Sequence, residues 1–136
     1  IEFVRELDGV TYYNDSKGTN PDSSIKALEA MTKPTLIIAG GYDKHSEFDG
    51  FIDAFGGKVK LMVLIGTTAP QIEKTARAHG FDNIINTDSL ENAVQICHDN
   101  AVSGDVVLLS PACASWDMFK SYEERGRLFK EYVNRF

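Results

Sequence analysis

Three short apolar runs limit the folds open to this chain more than anything else in it: Thr35-Leu36-Ile37-Ile38-Ala39, Leu61-Met62-Val63-Leu64-Ile65 and Val106-Val107-Leu108-Leu109. None shows the polar alternation of a strand with one wet face, so each reads as a strand buried on both sides. Asn83-Ile84-Ile85-Asn86 is a shorter candidate. Segments with helical spacing of apolar residues separate them, near 21–32, 48–56, 69–79, 89–100 and 118–134. In the first of these Ile25, Leu28 and Met31, with Ala27 and Ala30, mark the apolar side. In the last it is Phe119, Tyr122, Leu128, Phe129, Tyr132, Val133 and Phe136. Strand–helix alternation of this kind requires a mostly parallel sheet with helices on both faces. At the start of the chain, Asp8-Gly9 divides two alternating runs and predicts a hairpin, with strands near 2–7 and 10–14. The expected fold is α/β and Rossmann-like, with about six strands, one of them antiparallel and supplied by the hairpin.

Parallel sheets hold their ligands in the crevice outside the carboxyl ends of the strands. Three polar loops fall there: Asp15 to Thr19 after the strand at 10–14, Gly40 to Ser46 after 35–39, and Ser110 to Ser115 after 105–109. Lys17, Thr19, Lys44 and Ser115 are therefore expected to open onto one edge of the sheet. Two ammonium groups and two hydroxyls converging there suit a dicarboxylate or a phosphate. The first loop also feeds a well-marked helix start, with Asn20 as N-cap and Pro21 at the first helical position. An anion is favoured at that positive dipole end. A capped strand-to-helix turn with a few solvated polar groups explains the same loop equally well.

Composition narrows the partners. A length of 136 residues is one domain's worth, and 14 Lys and Arg against 20 Asp and Glu leave a net charge of −6. A broad basic surface for nucleic acid is thereby excluded, and an anion site must be a local cluster. No apolar stretch is long enough to span a bilayer. Cys97 and Cys113 read as small buried apolar residues of a reducing compartment, too few for a disulfide framework or a zinc site. The chain begins at Ile1 and runs straight into a strand, which reads as a piece of something longer with partner domains on its N-terminal side.

Several chemistries lack their motifs. There is no GxxxxGK[ST] and no strand-following GxGxxG, so the chain has no phosphate cradle of its own. Ser115 lacks the GxSxG elbow of a hydrolase. His45, His79 and His98 are scattered without metal-ligand spacing, and read as non-catalytic. Glu123-Glu124 and the Asp49/Asp53 pair read as solvated helix faces. A phosphoacceptor receiver would need a lysine where Ser110-Pro111 stands.

The segment Ser110-Pro111-Ala112-Cys113-Ala114-Ser115-Trp116-Asp117-Met118-Phe119-Lys120-Ser121-Tyr122-Glu123-Glu124-Arg125-Gly126 carries the most specific signal. Together with Asp15-Ser16-Lys17-Gly18-Thr19-Asn20 and Gly40-Gly41-Tyr42-Asp43-Lys44, it closely resembles the C-terminal domain of the Mur ligases, in their D-glutamate-adding branch. The resemblance runs over residues 1–136. Folylpolyglutamate synthases share the architecture but not this segment.

That resemblance implies a cytoplasmic, monomeric ligase of peptidoglycan synthesis. ATP phosphorylates the alanyl carboxylate of UDP-N-acetylmuramoyl-L-alanine, and the amine of D-glutamate attacks the acyl phosphate to form an amide. It implies two further domains, an N-terminal one for the UDP-sugar and a central one with the phosphate loop and the Mg2+ ligands. This chain would bring D-glutamate and close over ATP, and would be inactive in isolation. Carried over by position, Thr19, Lys44 and Ser115 match residues that contact D-glutamate. Tyr122 matches an aromatic position whose backbone joins the same pocket. Asp15 matches an acid on the nucleotide, and Lys17 a catalytic lysine directed at the phosphate and the reacting carboxyl group. A sibling Mur ligase adding another amino acid, or a non-catalytic α/β binding module, is the alternative.

Overall fold

The computed structural model of the chain describes residues 1–43 and 45–136. These form β1 (Glu2–Leu7), β2 (Val10–Asn14), α1 (Pro21–Ala30), β3 (Thr35–Ala39), α2 (Asp49–Asp53), β4 (Val59–Leu64), α3 (Ala69–Ala78), β5 (Ile84–Asn86), α4 (Leu90–Asn100), β6 (Val106–Leu109) and α5 (Tyr122–Asn134). The six strands make one sheet in the order β1-β2-β6-β3-β4-β5. Only the β1–β2 pair is antiparallel; β2–β6, β6–β3, β3–β4 and β4–β5 are all parallel. The hairpin turns on Asp8 and Gly9, both at positive φ (53° and 81°), as a two-residue turn with strand-matching twist requires.

Alternate residues of the central strands feed two cores. Ile37, Met62, Leu64 and Leu108 face α1, α2 and α3 through Leu28, Phe51 and Ile72. Leu36, Ile38, Val63, Val107 and Leu109 face α4 and α5 through Val94, Phe129 and Val133. Every residue of β3 and β6 is buried, which explains why their sequences carry no alternation.

Three helices are shorter than expected: α1 ends at Ala30 rather than near 32, α2 covers Asp49–Asp53 rather than 48–56, and the last helix starts late. In α1 the buried stripe includes Ser24 while Ala30 is exposed, so a hydroxyl replaces a methyl at one inward position. The last helix begins at Tyr122, not near 118. Ser121 is its N-cap, in extended conformation and accepting from the Glu124 amide at 3.1 Å. Residues 115–118 form a turn in which the Ser115 carbonyl accepts from the amides of Met118 (3.1 Å) and Phe119 (2.8 Å). Met118 and Phe119 still pack on the second core, so their apolar signal is real but belongs to the loop. Of the acids expected on solvated faces, Asp49 and Asp53 are exposed but both hydrogen-bond His79.

Candidate functional site

β6 lies between β2 and β3, so the loops leaving these three parallel strands are neighbours at one end of the sheet. The chain leaves β2 for α1 on one face and leaves β6 for α5 on the other. That divergence opens a crevice, the geometry of a topological switch point. The loop after β3 is sewn to the loop after β6. Tyr42 and Ala114 exchange both backbone hydrogen bonds at 2.9 Å, and Gly40 N–H donates to the Pro111 carbonyl at 2.9 Å. A Cβ on Gly40 would lie 2.0 Å from the Ile65 carbonyl oxygen, so this close approach and its φ of 106° both demand glycine.

The crevice holds two adjoining clefts. One, of about 340 Å³, lies between the start of β1 (Ile1 and Glu2), the β2 loop (Asp15 and Lys17) and α5 (Tyr122, Arg127 and Lys130). The other, of about 450 Å³, is lined by Thr19, Ser115, Trp116, Lys120 and Tyr122. Asp15 and Lys17 thus share one cleft, Thr19 and Ser115 the other, and Tyr122 with Glu123 walls both. Glu123, expected on a solvated face, is exposed and stands on this partition. Lys44 lies outside the described residues.

Burial differs sharply among these side chains. Lys17 and Tyr122 are exposed, Thr19 is half-buried, and Asp15 and Ser115 are buried. Asp15 is held by the Ser110 hydroxyl, which donates to its Oδ2 at 2.7 Å and also meets the Ser24 hydroxyl at 2.8 Å. Ser24 Oγ in turn accepts from the Ala112 amide at 3.0 Å. This explains the inward Ser24 of α1: it joins the β2 and β6 loops through a fully buried polar chain. Gly18 sits directly over it, where an added Cβ would be 2.8 Å from Asp15 Oδ2 and 3.0 Å from both hydroxyls.

Similarity to known proteins follows the same elements. The profile of the family described as "Mur ligase, glutamate ligase domain" matches residues 1–113. The chain belongs to this family. Among curated relatives, the UDP-N-acetylmuramoylalanine--D-glutamate ligase of Lachnospira eligens is 62% identical over 134 residues, covering 98% of the chain and 30% of that protein. Its namesake from Thermoanaerobacter sp. is 59% identical over 135 residues, with the same coverage. The chain therefore spans about 30% of the length of these relatives. Of solved structures, a murein peptide ligase from Psychrobacter arcticus superposes with a TM-score of 0.66 over 98% of this chain and 28% of that one, at 11% identity. At that identity the likeness is one of fold.

The residue of this Mur ligase domain that sequence reasoning passed over is Arg125. It is 1% exposed, yet none of its hydrogen bonds goes to a carboxylate. Its Nε donates to Ser16 Oγ at 2.8 Å, Nη2 to the Ser16 carbonyl at 2.6 Å, and Nη1 to the Cys113 carbonyl at 3.0 Å. Burial pushes the guanidinium down to about 10, still far above neutrality, so it is charged at pH 7. Ser16 completes the joint by donating its hydroxyl to the Tyr122 carbonyl at 2.7 Å. One guanidinium thus binds the β2 loop, the β6 loop and the first turn of α5 into a single body. A signal was available: Arg125 lies three residues after Tyr122 and four before Phe129, on the apolar stripe of α5, where a charge needs a reason. Gly126 follows because a Cβ there would come within 2.9 Å of Asn14 Nδ2.

Cys113 is buried, near the Thr68 hydroxyl at 3.3 Å, and burial raises its thiol to about 12. Burial raises Cys97 as well. Both are therefore inert thiols at neutral pH, as their apolar reading expects.

Proposed function

We infer that this domain is the C-terminal part of an ATP-dependent ligase that joins D-glutamate to UDP-N-acetylmuramoyl-L-alanine in cytoplasmic peptidoglycan synthesis. The single observation that carries the reading is the pair of adjoining clefts, one with Asp15 and Lys17 and the other with Thr19 and Ser115, divided by Tyr122. Two clefts that meet at a shared edge can bring the ends of two bound reactants together, as a reaction in which an activated carboxyl group meets an amine requires. The names of the curated relatives support the choice of D-glutamate.

In this reading Asp15 and Lys17 face the nucleotide, and Lys17 is the catalytic cation that offsets charge on the transferring phosphoryl group and the reacting carboxyl oxygen. Its exposure fits a side chain that finishes its contacts only when another domain closes over it. Thr19, Ser115, Lys44 and the Tyr122 backbone take D-glutamate, the lysine through a charge-assisted hydrogen bond. Asp15 already spends one oxygen on Ser110, which fits a nucleotide contact better than sole ligation of a metal. Mg2+ would be held by a central domain that also carries the phosphate loop, with the UDP-sugar on an N-terminal domain. The ligase acts as a monomer, and this domain alone is inactive.

The test is steady-state kinetics on the full-length ligase. Lys17→Ala is expected to lower kcat by roughly a hundred- to a thousandfold, the usual loss for one such transition-state contact. Ser115→Ala is expected to raise the KM for D-glutamate by roughly ten- to a hundredfold, the equivalent of about 1.5–3 kcal/mol for a hydrogen bond to a charged group. The KM for the UDP-sugar should hold. A rise in the UDP-sugar constant with the D-glutamate constant unchanged would overturn the assignment.

A further inference from the structure

Trp116, the one tryptophan of the chain, is 72% exposed, while Ser115 beside it is 2% exposed. Its exposure is not that of a loose loop tip. On one side the Ser115 carbonyl is gripped by two amides of the following turn. On the other, Asp117 Oδ2 accepts from the Thr67 amide at 3.0 Å, tying the turn to the loop after β4. Behind the indole stands Tyr42, with ring centroids 5.8 Å apart and a 43° tilt, on the strand-end segment paired to Ala114. The turn that carries this large apolar ring is thus held on both sides, and the ring, backed by Tyr42, is left uncovered.

The ring lines the cleft that also contains Thr19, Ser115, Lys120 and Tyr122. Hydroxyls and an ammonium alternate there with two aromatic rings, Trp116 and Tyr122. A five-carbon amino dicarboxylate has the complementary pattern, polar ends joined by an apolar two-methylene middle. Small-molecule sites commonly combine apolar walls with a few fixed polar groups in this way. A wall that is rigid before binding also spares the ligand the cost of ordering it.

Resting on the assignment of this cleft to the amino acid, we propose that Trp116, backed by Tyr42, is a specificity residue that packs on the methylene chain of D-glutamate and measures its length. Lys120, exposed at the same cleft, is the cation at its mouth. The ring separates acids that differ by one methylene, a difference worth roughly 10- to 200-fold in an apolar pocket.

The experiment compares the full-length ligase with its Trp116→Ala and Trp116→Phe variants, using D-glutamate and the one-carbon-shorter D-aspartate. Thermal unfolding of each variant serves as the fold control. Trp116→Ala is expected to raise the KM for D-glutamate roughly tenfold and to shrink the glutamate-to-aspartate ratio of kcat/KM by a similar factor, with the constants for ATP and the UDP-sugar unchanged. Trp116→Phe is expected to keep the ratio within about threefold of wild type. A wild-type enzyme whose rate does not saturate with D-glutamate overturns the substrate reading and this inference with it. A saturating wild type with an unchanged ratio in Trp116→Ala overturns the role of Trp116 alone. A rise in all three Michaelis constants assigns the indole to contact with another domain, and also overturns it.

Discussion

Replacing Arg125 by methionine tests whether the guanidinium is the joint of the site or an incidental buried charge. Arg125→Met keeps most of the side-chain volume and removes three hydrogen bonds of 2.6 to 3.0 Å. Bonds from a charged donor contribute roughly 1.5–3 kcal/mol each. Against that stands the cost of burying the charge, which lowers the group from 12.5 to about 10 and is worth on the order of 3 kcal/mol. The mutation relieves that cost but leaves the Ser16 and Cys113 carbonyls without their Arg125 donors. The balance is an expected loss of about 2–5 kcal/mol. For a chain of this length that corresponds to a fall in Tm of roughly 7–17 °C. Urea unfolding of the 136-residue chain and its variant, followed by far-ultraviolet circular dichroism, reads the difference directly. Arg125→Lys should fall between them, because one ammonium cannot span acceptors on two loops as the planar fork does. A loss below about 1 kcal/mol for Arg125→Met would refute the reasoning, since the bonds would then do no more than repay the burial.

Gly18→Ala is expected to lower stability by about 1–3 kcal/mol, because its Cβ must break the Asp15–Ser110–Ser24 cluster at 2.8 to 3.0 Å; an unchanged Tm would show that the cluster yields freely. His79 hydrogen-bonds first to Asp49 and then to Asp53, which together hold its imidazole above the ordinary 6.5. A folded-state value above the unfolded one means that this contact stabilises fully below pH 6.5 and loses its effect as pH rises through the raised value. In a proton NMR titration the His79 midpoint should fall toward 6.5 in the Asp49→Asn, Asp53→Asn double variant, and an unmoved midpoint would refute the pairing.

The apolar runs revealed the layers because a doubly covered parallel strand has no polar face to conceal it, and β3 and β6 are buried at every position. That the polar loops leave one end of the sheet was equally legible, since it follows from parallel strands; their adjacency depends on β6 lying between β2 and β3, which the sequence pattern does not state. The start of α5 was not legible. Met118 and Phe119 pack on the core from a turn, and their apolar character mimics helix periodicity although Ser121 is the cap. The polar skeleton beneath the site was hidden for a related reason. Ser24 lies far from Ser110 in sequence, and Ser16 far from Arg125, and only the folded chain reveals that each satisfies its partner's hydrogen bonds. Periodicity reports which residues are buried; it does not report with whom.

The place of β6 in the sheet also sets an order of events. β2 and β3 share no hydrogen bonds; the strand between them is the last one made. The β3-β4-β5 half pairs neighbours in sequence order and has short loops to close. The β1-β2 hairpin cannot join that half until β6 arrives, nearly a hundred residues later, and non-local closures of this kind are slow to pay off. The Lys17 and Tyr42 loops, joined through α1, are therefore not bridged by strand pairing until β6 is in place, and the crevice is complete only when the final quarter of the chain docks. Without β6 the sheet has no strand to join its two halves, and the loops that line the crevice have no common edge.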